Sequence, residues 1–288
     1  MTGHEDIRSP FKFLDPYTRG DQDIFFGRDE EVEKLYESVN KNRLVLVYGQ
    51  SGTGKTSLVQ CGLANRFEVT DWMPFFIRRG ANINASLCQA LSQSKAMGGS
   101  DIQPEQVTAA LGRISDRYVR PVYLIFDQFE ELMILGEPPE IEAFTLLIRD
   151  IMDGIDTQST YLLFILREEY FGWLDEFEHI VPGFSDRRLR VEPMRPAKLE
   201  EVIMQTCASF NVTLEKGREN ARQIIDSLRS KGGISLPYLQ VYLDMLWRED
   251  YQRTDLSSWN GQGHPPLEFT TQEIESFGNI EDVLGRFL

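Results

Sequence analysis

A glycine-rich segment between an apolar run and a helical pattern constrains this chain more than any other feature. Residues 49–56 read G-Q-S-G-T-G-K-T and fit the pattern G-x-x-x-x-G-K-[ST]. Before this segment, residues 44–47 form an unbroken apolar run that is typical of a strand buried on both faces. After it, Leu58, Cys61 and Leu63 can share one side of a helix. The pattern therefore predicts a tight turn between a central strand and a helix.

The chemistry of this turn is that of phosphate binding. Glycines allow positive φ angles, so backbone N–H groups can close on phosphate oxygens, and the following helix adds the positive end of its dipole. Lys55 is expected to reach the terminal phosphates of a nucleotide, and the Thr56 hydroxyl to ligate Mg²⁺. A surface turn that happens to contain a lysine is the plain alternative, and the flanking strand and helix argue against it.

An acidic residue at the end of a second apolar run supports a nucleotide site. Residues 122–126 are apolar and Asp127 follows them, an arrangement that brings a carboxylate to Mg²⁺ beside a phosphate loop. A buried strand that ends in an acid is common by itself. Asp127 indicates a metal site only because a phosphate loop precedes it in the sequence. One more strand and two helices are predicted between Lys55 and Asp127. A parallel sheet is therefore expected to insert a strand between the two strands that carry these residues.

Three further strands complete the predicted sheet. One begins just after Pro74, one covers residues 160–166, and a short one covers residues 189–191. The strand over residues 160–166 ends on Arg167. A strand-end arginine can be a plain surface charge, but the strand ends of such sheets converge on the ligand. This convergence favours Arg167 as a sensor of the γ-phosphate.

The helical pattern that follows Pro193 divides the chain into three predicted parts. Residues 1–192 form an α/β nucleotide-binding domain, of which residues 1–24 are an irregular lead-in. Residues 193–251 form a helical lid, and residues 252–288 form a polar loop and the start of a truncated winged-helix module. The chain ends inside an amphipathic pattern, which we interpret as the edge of a fragment of a longer protein.

The charge and the cysteines limit the classes of partner. A net charge of −15 over 288 residues disfavours binding to nucleic acid and to anionic lipid. The three cysteines and three histidines have no metal-ligand spacing, which fits a reducing compartment without a zinc site. The N-terminus carries no apolar signal segment, and the longest apolar run, residues 161–166, is much shorter than a membrane span. We therefore expect a cytoplasmic protein without a membrane segment.

Several of these segments stand in an order that resembles a known family. Residues 25–31 read F-F-G-R-D-E-E, residues 127–132 read D-Q-F-E-E-L, and residues 166–172 read L-R-E-E-Y-F-G. With the loop at residues 49–56, they resemble the bacterial novel STAND group of P-loop NTPases, relatives of AAA+ ATPases that act as signalling switches. The acids after Gly27 could merely stabilise a helix N-terminus. The resemblance instead favours a role of this segment in nucleotide binding.

The resemblance implies a fold and a set of site roles. The fold would be α/β, with a five-stranded parallel sheet of order 5-1-4-3-2 and a C-terminal all-helical lid. Residues expected at the adenine end and at the lid contact are Phe26, Gly27, Arg28 and Pro237. Residues expected around the phosphates are Gln50, Ser51, Gly52, Thr53, Gly54, Lys55, Thr56 and Ser57. The other implied roles are Mg²⁺ binding by Thr56 and Asp127, water activation by Glu130 or Glu131, and γ-phosphate sensing by Arg167.

Two positions depart from the patterns of these ATPases. In AAA+ motors a catalytic glutamate directly follows the aspartate, whereas this chain has Gln128, which cannot act as a base. This difference predicts slow ATP hydrolysis in place of fast, motor-like turnover. Lids of the family usually carry a Gly-x-Pro motif near the nucleotide. Here Pro237 is present, but Ser235 stands in place of the glycine, which weakens the implied lid contact.

The predicted function is therefore a switch that binds ATP or ADP with Mg²⁺ and hydrolyses ATP slowly. ATP and a trigger sensed by a missing C-terminal part would open the chain and permit self-association. By analogy with the family, the setting would be bacterial signalling or antiphage defence. An AAA+-type DNA loader or initiator is the alternative, because such ATPases share the G-R-D/E-x-E entry. A third interpretation, a small-molecule kinase, needs an acceptor site, and none is recognisable in the sequence.

Overall fold

The computed structural model describes residues 9–154, 156–229, 234–257 and 259–278. The strands are β1 (Leu44–Gly49), β2 (Met73–Ile77), β3 (Val122–Phe126), β4 (Thr160–Arg167), β5 (Arg188–Arg190), β6 (Val212–Leu214) and β7 (Leu267–Phe269). The helices are α1 (Asp29–Lys41), α2 (Lys55–Ser57), α3 (Ile83–Ser92), α4 (Val107–Tyr118), α5 (Glu130–Leu135), α6 (Pro138–Asp153), α7 (Asp175–Glu178), α8 (Pro196–Ser209), α9 (Arg218–Ser227), α10 (Leu236–Arg253) and α11 (Thr271–Phe277). Shorter 3₁₀ or π turns occupy Arg19–Ile24, Leu58–Leu63, Ala64–Arg66, Lys95–Met97, Pro104–Gln106 and Glu168–Leu174.

Some sequence-based expectations fall beyond this coverage. The last part of the predicted winged-helix module, residues 279–288, lies outside the described residues. Among the helices that are described, none combines the length and apolar character needed to cross a membrane.

The described residues divide into two compact units. The sheet unit comprises the described parts of Glu30–Gln50 and Leu58–Val191, and the C-terminal unit comprises those of Met1–Asp29, Ser51–Ser57 and Glu192–Leu288. The lead-in and the glycine-rich loop are predicted within the nucleotide-binding domain. By compactness, however, the described lead-in and most of the loop belong with the C-terminal helices. The reason is that their contacts run to those helices, as the hydrogen bonds reported below show.

The sheet unit is built on five parallel strands in the order β2-β3-β4-β1-β5. This is the predicted order 5-1-4-3-2 read from the opposite edge, so the predicted α/β class and topology are confirmed. Strand β4 lies between β1 and β3, as expected for the two strands that lead to Lys55 and Asp127. The pairing register brings Gly49 beside Arg167, so the ends of β1 and β4 are level.

Strand β2 differs slightly from its prediction. It was expected to begin just after Pro74, but it begins at Met73 and includes the proline. Proline cannot donate a hydrogen bond to a neighbouring strand, so it is tolerated where one side of the strand has no partner. Because β2 pairs only with β3 and forms the edge of this sheet, Pro74 fits within the strand.

The core of the sheet unit contains a cluster of phenylalanines. Phe129 follows β3 and is 2% exposed. Its ring lies 4.7 Å from that of Phe164, 5.4 Å from that of Phe177 and 5.8 Å from that of Phe144. These edge-on and tilted contacts add to the burial of about 150–250 Å² for each aromatic ring. The cluster therefore anchors the segment between Asp127 and α5 firmly in the core.

The C-terminal unit is largely helical, with a core formed by α8–α11 and by part of the lead-in. Phe11 of the lead-in packs edge-on against Phe210, with ring centroids 5.3 Å apart. The backbone N–H of Lys12 donates to Oε1 of Gln240 at 3.3 Å. The unit also contains the short parallel pair β6 and β7, which lies in a region predicted to be helix and loop. Strands of three residues are too short to show the alternation by which a sequence indicates a strand.

A buried ion pair fixes the loop that follows β2. Nη2 of Arg79 lies 2.6 Å from Oε2 of Glu140, and Nε of Arg79 donates to Oε1 at 3.0 Å. Oε1 of Glu140 also accepts the backbone N–H of Ile83 at 2.8 Å, at the start of α3. Both charged side chains are buried, and such a pair is favourable only when its remaining polar atoms are satisfied in this way. The pair therefore ties the end of β2, the start of α3 and α6 together.

Removing one charge of this pair should destabilise the fold. Glu140→Gln keeps the shape of the side chain but leaves the Arg79 guanidinium buried without its counter-charge. We expect a loss of about 3–5 kcal/mol in the free energy of unfolding, measured by urea denaturation. Glu142→Gln, an exposed position on the same helix, is the control and should change the value by less than about 0.5 kcal/mol. Equal effects of the two substitutions would contradict a structural role of the pair.

Candidate nucleotide site

The glycine-rich loop adopts the backbone that its motif requires. Gly52 and Gly54 have φ angles of 76° and 86°, in the left-handed region that glycine alone enters without strain. Thr53 between them is buried, and α2 begins directly afterwards at Lys55. Lys55, Thr56 and Gln50 are half-buried, and Ser51 is exposed. The loop conformation is thus suited to present backbone N–H groups to phosphate oxygens.

Arg28 connects residues 25–31, here called the entry segment, to the loop by hydrogen bonds to the backbone. Its Nη2 donates to the carbonyl oxygen of Thr53 at 2.8 Å and to that of Glu192 at 3.0 Å. The side chain is 5% exposed, so these bonds replace part of the hydration that the guanidinium loses on burial. The resemblance implies a position of Arg28 at the adenine end. In the structure its guanidinium holds the loop to the first residue of the C-terminal segment.

Gly27 is a position where only glycine fits. Its φ angle is 83°, and a β-carbon there would lie 2.6 Å from Cγ2 of Val202 and 3.2 Å from Cε of Met194. Helix α8 therefore packs directly on the entry segment. Phe26, which precedes it, is half-buried.

The first turn of α10 rests on the loop. The backbone N–H of Leu236 donates to the carbonyl oxygen of Gly52 at 3.1 Å. A methyl group at Gly52 would lie 2.7 Å from Oγ of Ser235 and 3.6 Å from Cδ of Pro237. A methyl group at Gly54 would lie 3.3 Å from Cδ1 of Leu236. Ser235, the residue that departs from the family pattern, thus lies against the loop, and Pro237 lies near it.

Ser57 contacts the lead-in. Its Oγ accepts the backbone N–H of Tyr17 at 3.1 Å, which fastens the lead-in to the end of the loop. Sequence reasoning did not identify this contact, because a backbone N–H donor carries no residue-type signature.

The acidic segment after β3 is held in an unusual conformation. Asp127 is 3% exposed, and its Oδ1 accepts the backbone N–H of Gln128 at 3.1 Å. Gln128 has a φ angle of 56°, which is uncommon for a residue with a side chain. The turn at Gln128 directs Phe129 into the core and lets α5 start at Glu130. The acid after Asp127 therefore lies three residues later, on a helix, and Gln128 occupies the turn.

Glu130 faces the end of the neighbouring strand β4. Its Oε1 lies 3.1 Å from Nε of Arg167, and its Oε2 accepts the backbone N–H of Arg167 at 3.2 Å. Glu130 is 5% exposed, whereas Glu131 is half-buried. The structure thus brings together Arg167, predicted to sense the γ-phosphate, and Glu130, one of the two acids predicted to activate water.

Asp127 has an arginine partner that sequence reasoning missed. Nη2 of Arg78, the residue after β2, donates to Oδ2 of Asp127 at 3.0 Å. The same rule that singled out Arg167, a charged residue at the end of a parallel strand, could have identified Arg78.

The acids present fit Mg²⁺ as it is usually bound beside a nucleotide. Within the described ranges there is no group of three or more His, Cys, Asp or Glu side chains that could enclose a metal by itself. Mg²⁺ beside a nucleotide is usually held by one or two protein oxygens, with phosphates and water completing the shell. A single buried carboxylate at the end of β3, that of Asp127, suits this mode of binding.

Solved ATPase structures share the fold. The Orc1 protein of Aeropyrum pernix, solved in complex with DNA, is 14% identical, with a TM-score of 0.62 over 92% of this chain and 66% of that one. A Walker-type ATPase of Pyrococcus abyssi is 20% identical, with a TM-score of 0.60 over 83% of this chain and 72% of that one. The Orc2 protein of Aeropyrum pernix, solved with ADPNP and ADP, is 16% identical, with a TM-score of 0.60 over 86% of this chain and 66% of that one. This chain thus spans 66% of the length of both Orc structures.

Comparison at the level of sequence families is more specific. Among curated proteins, none matches this chain significantly. The model of the family described as novel STAND NTPase 1 matches residues 10–267, which include the entry segment, the loop, the acidic segment and helices α8–α10. The resemblance noted from the motifs is therefore confirmed: the chain belongs to the novel STAND NTPase 1 family.

Proposed function

We propose that this chain binds ATP or ADP with Mg²⁺, hydrolyses ATP slowly, and uses the nucleotide as a conformational switch. The observation that carries the proposal is the hydrogen bond from Leu236 to Gly52, because it joins the first turn of α10 to the loop that would hold the phosphates. Membership of an NTPase family supports the choice of ligand. The Orc2 neighbour, solved with adenine nucleotides, supports the adenine base.

The groups that would hold the nucleotide are those of the loop. Backbone N–H groups around Gly52 and Gly54 would bind phosphate oxygens, and the Lys55 ammonium would pair with the terminal phosphates. Thr56 and Asp127 would hold Mg²⁺, which when bound neutralises charge on the phosphate oxygens.

The acidic segment supports slow hydrolysis. Gln128 is neutral and has a left-handed backbone, so the position next to Asp127 supplies no base. Both carboxylate oxygens of Glu130 face Arg167, so this acid is engaged in an ion pair. Orientation of water by Glu130 would require that pair to loosen. A γ-phosphate that attracts the Arg167 guanidinium would have this effect, which couples sensing to hydrolysis.

The switch would act through contacts that differ between nucleotide states. A ligand shifts a conformational equilibrium only by its differential affinity for the two states. Ser235 and Leu236 touch Gly52, so any movement of the loop on binding a γ-phosphate changes their contacts directly. We propose that ADP favours this contact, and that ATP with a trigger outside the chain releases it for self-association in bacterial signalling or antiphage defence.

A DNA loader remains the second candidate, because the Orc1 neighbour was solved with DNA. The net charge of −15 opposes this function, since the affinity of such complexes comes largely from basic contacts to phosphates. Titration of a DNA duplex at several salt concentrations separates the two candidates. Steeply salt-dependent binding would favour the loader, and its absence would favour the switch.

Lys55→Ala should abolish stabilisation by nucleotide. A ligand at 100 times its dissociation constant stabilises the folded state by about 2.7 kcal/mol, and losing the ammonium–phosphate pair should remove most of this gain. Thermal unfolding with and without ATP·Mg²⁺ measures the effect. Lys41→Ala, at an exposed lysine paired with Glu37, is the control and should keep the full shift. An undiminished shift in Lys55→Ala would count against the site.

Glu130→Gln and Glu131→Gln should separate the roles of the two acids. We expect Glu130→Gln to bind ATP normally and to hydrolyse it at least about tenfold more slowly, because an amide is not a base. Glu131→Gln should retain most of the hydrolysis. Single-turnover assays measure the rate, and thermal shift measures binding. The reverse pattern would assign water activation to Glu131.

The contact between the loop and α10 can be tested by a double-mutant cycle. Gly52→Ala should lower the free energy of unfolding, because position 52 has a positive φ angle and the added methyl group would crowd Oγ of Ser235. Ser235→Gly removes the crowding but not the backbone strain, so the double mutant should recover part of the loss, with a coupling of about 0.5–3 kcal/mol. Gly20→Ala, where nothing lies within 4 Å of the added carbon, is the control. Additive effects at positions 52 and 235 would show that the contact is absent in solution.

A further inference from the structure

The pairing of Arg78 with Asp127 is built into the sheet. The backbone N–H of Asp127 donates to the carbonyl oxygen of Ile77 at 2.9 Å, so the ends of β2 and β3 are level. The next residue after Ile77 is Arg78, whose Nη2 donates to Oδ2 of Asp127 at 3.0 Å. Arg79, the next residue, is fixed by its buried pair with Glu140. The loop is therefore held so that Arg78 stays within reach of Asp127.

The two partners of this pair differ in their freedom to move. The side chain of Arg78 is 57% exposed, whereas that of Asp127 is 3% exposed. The guanidinium can move into water at little cost, because it is already largely hydrated. The carboxylate cannot follow it, because Asp127 ends a buried strand. The buried carboxylate of Asp127 is stabilised by a positive charge, and the Arg78 guanidinium that supplies this charge is able to move away.

We propose that Arg78 is a counter-cation of Asp127 that must give way when Mg²⁺ binds, and that it thereby sets the affinity of the site for the metal. The inference rests on the proposed role of Asp127 in holding Mg²⁺. The metal requires oxygen ligands at about 2.0–2.1 Å, so it competes with the guanidinium for the same carboxylate. Two cations close to one carboxylate also repel each other. Arg78 is thus a positioning residue for Asp127 and raises the metal concentration at which the site fills.

The test is metal binding to the protein with saturating ADP, without any readout of activity. Free Mn²⁺, measured by its electron paramagnetic resonance signal, reports the dissociation constant of the metal. Arg78→Ala should lower this dissociation constant roughly threefold to tenfold. This range allows for the exposure of Arg78 to solvent, which weakens the pair. Arg78→Lys keeps the charge and should stay close to the wild type. Arg66→Ala removes an exposed arginine paired with Glu33 elsewhere in the sheet unit and should have no effect.

Asp127→Asn separates failure of this inference from failure of the proposed function. Weak Mn²⁺ binding in Asp127→Asn, together with tighter binding in Arg78→Ala, supports both. Weak binding in Asp127→Asn with no change in Arg78→Ala overturns the counter-cation alone. Weaker binding in Arg78→Ala also overturns it, because the guanidinium would then assist the bound metal or nucleotide. Unchanged binding in Asp127→Asn overturns the metal role of Asp127 itself.

Discussion

Parallel pairing of five strands is the constraint from which the arrangement of the acidic site follows. Because the strands run in one direction, the residues that follow them collect at a single edge of the sheet. The register places Gly49 level with Arg167, and a backbone hydrogen bond places Asp127 level with Ile77. Charged residues that are far apart in the sequence, Arg78 and Arg167, thereby become neighbours of the acids after β3. No local property of any one segment would bring them together.

Within this frame, the segment after β3 shows how local strain is compensated. A residue such as Gln128 in a left-handed conformation costs on the order of 1–3 kcal/mol. Complete burial of a side chain such as Phe129 contributes about 1.5–3 kcal/mol and holds the turn in place. The consequence is chemical as well as structural. The turn places the neutral Gln128 next to Asp127, so the first acid after Asp127 is Glu130, at the start of α5.

The sequence predicted what depends on repeated patterns and missed what depends on single contacts. Strands β1–β4 and the longer helices have extended apolar patterns, and the order of the strands followed from the family resemblance. Strands β6 and β7 have three residues each, too few for a pattern. The bond from Leu236 to Gly52 uses only backbone atoms, which every residue type except proline could supply as donor. The partner of Asp127 could have been anticipated, because Arg78 obeys the strand-end rule already applied to Arg167.

The arginines at the strand ends also resolve an electrostatic difficulty. A chain with a net charge of −15 must accept a polyanionic nucleotide, and unpaired carboxylates near the phosphates would repel it. Pairing of Asp127 with Arg78 and of Glu130 with Arg167 neutralises both acids before any ligand arrives. Under the proposed function, the same pairing would keep each acid occupied until a metal or a γ-phosphate competes for it. If the proposed function holds, an edge neutralised in this way would repel a nucleotide less than two unpaired carboxylates would, and it would activate water slowly.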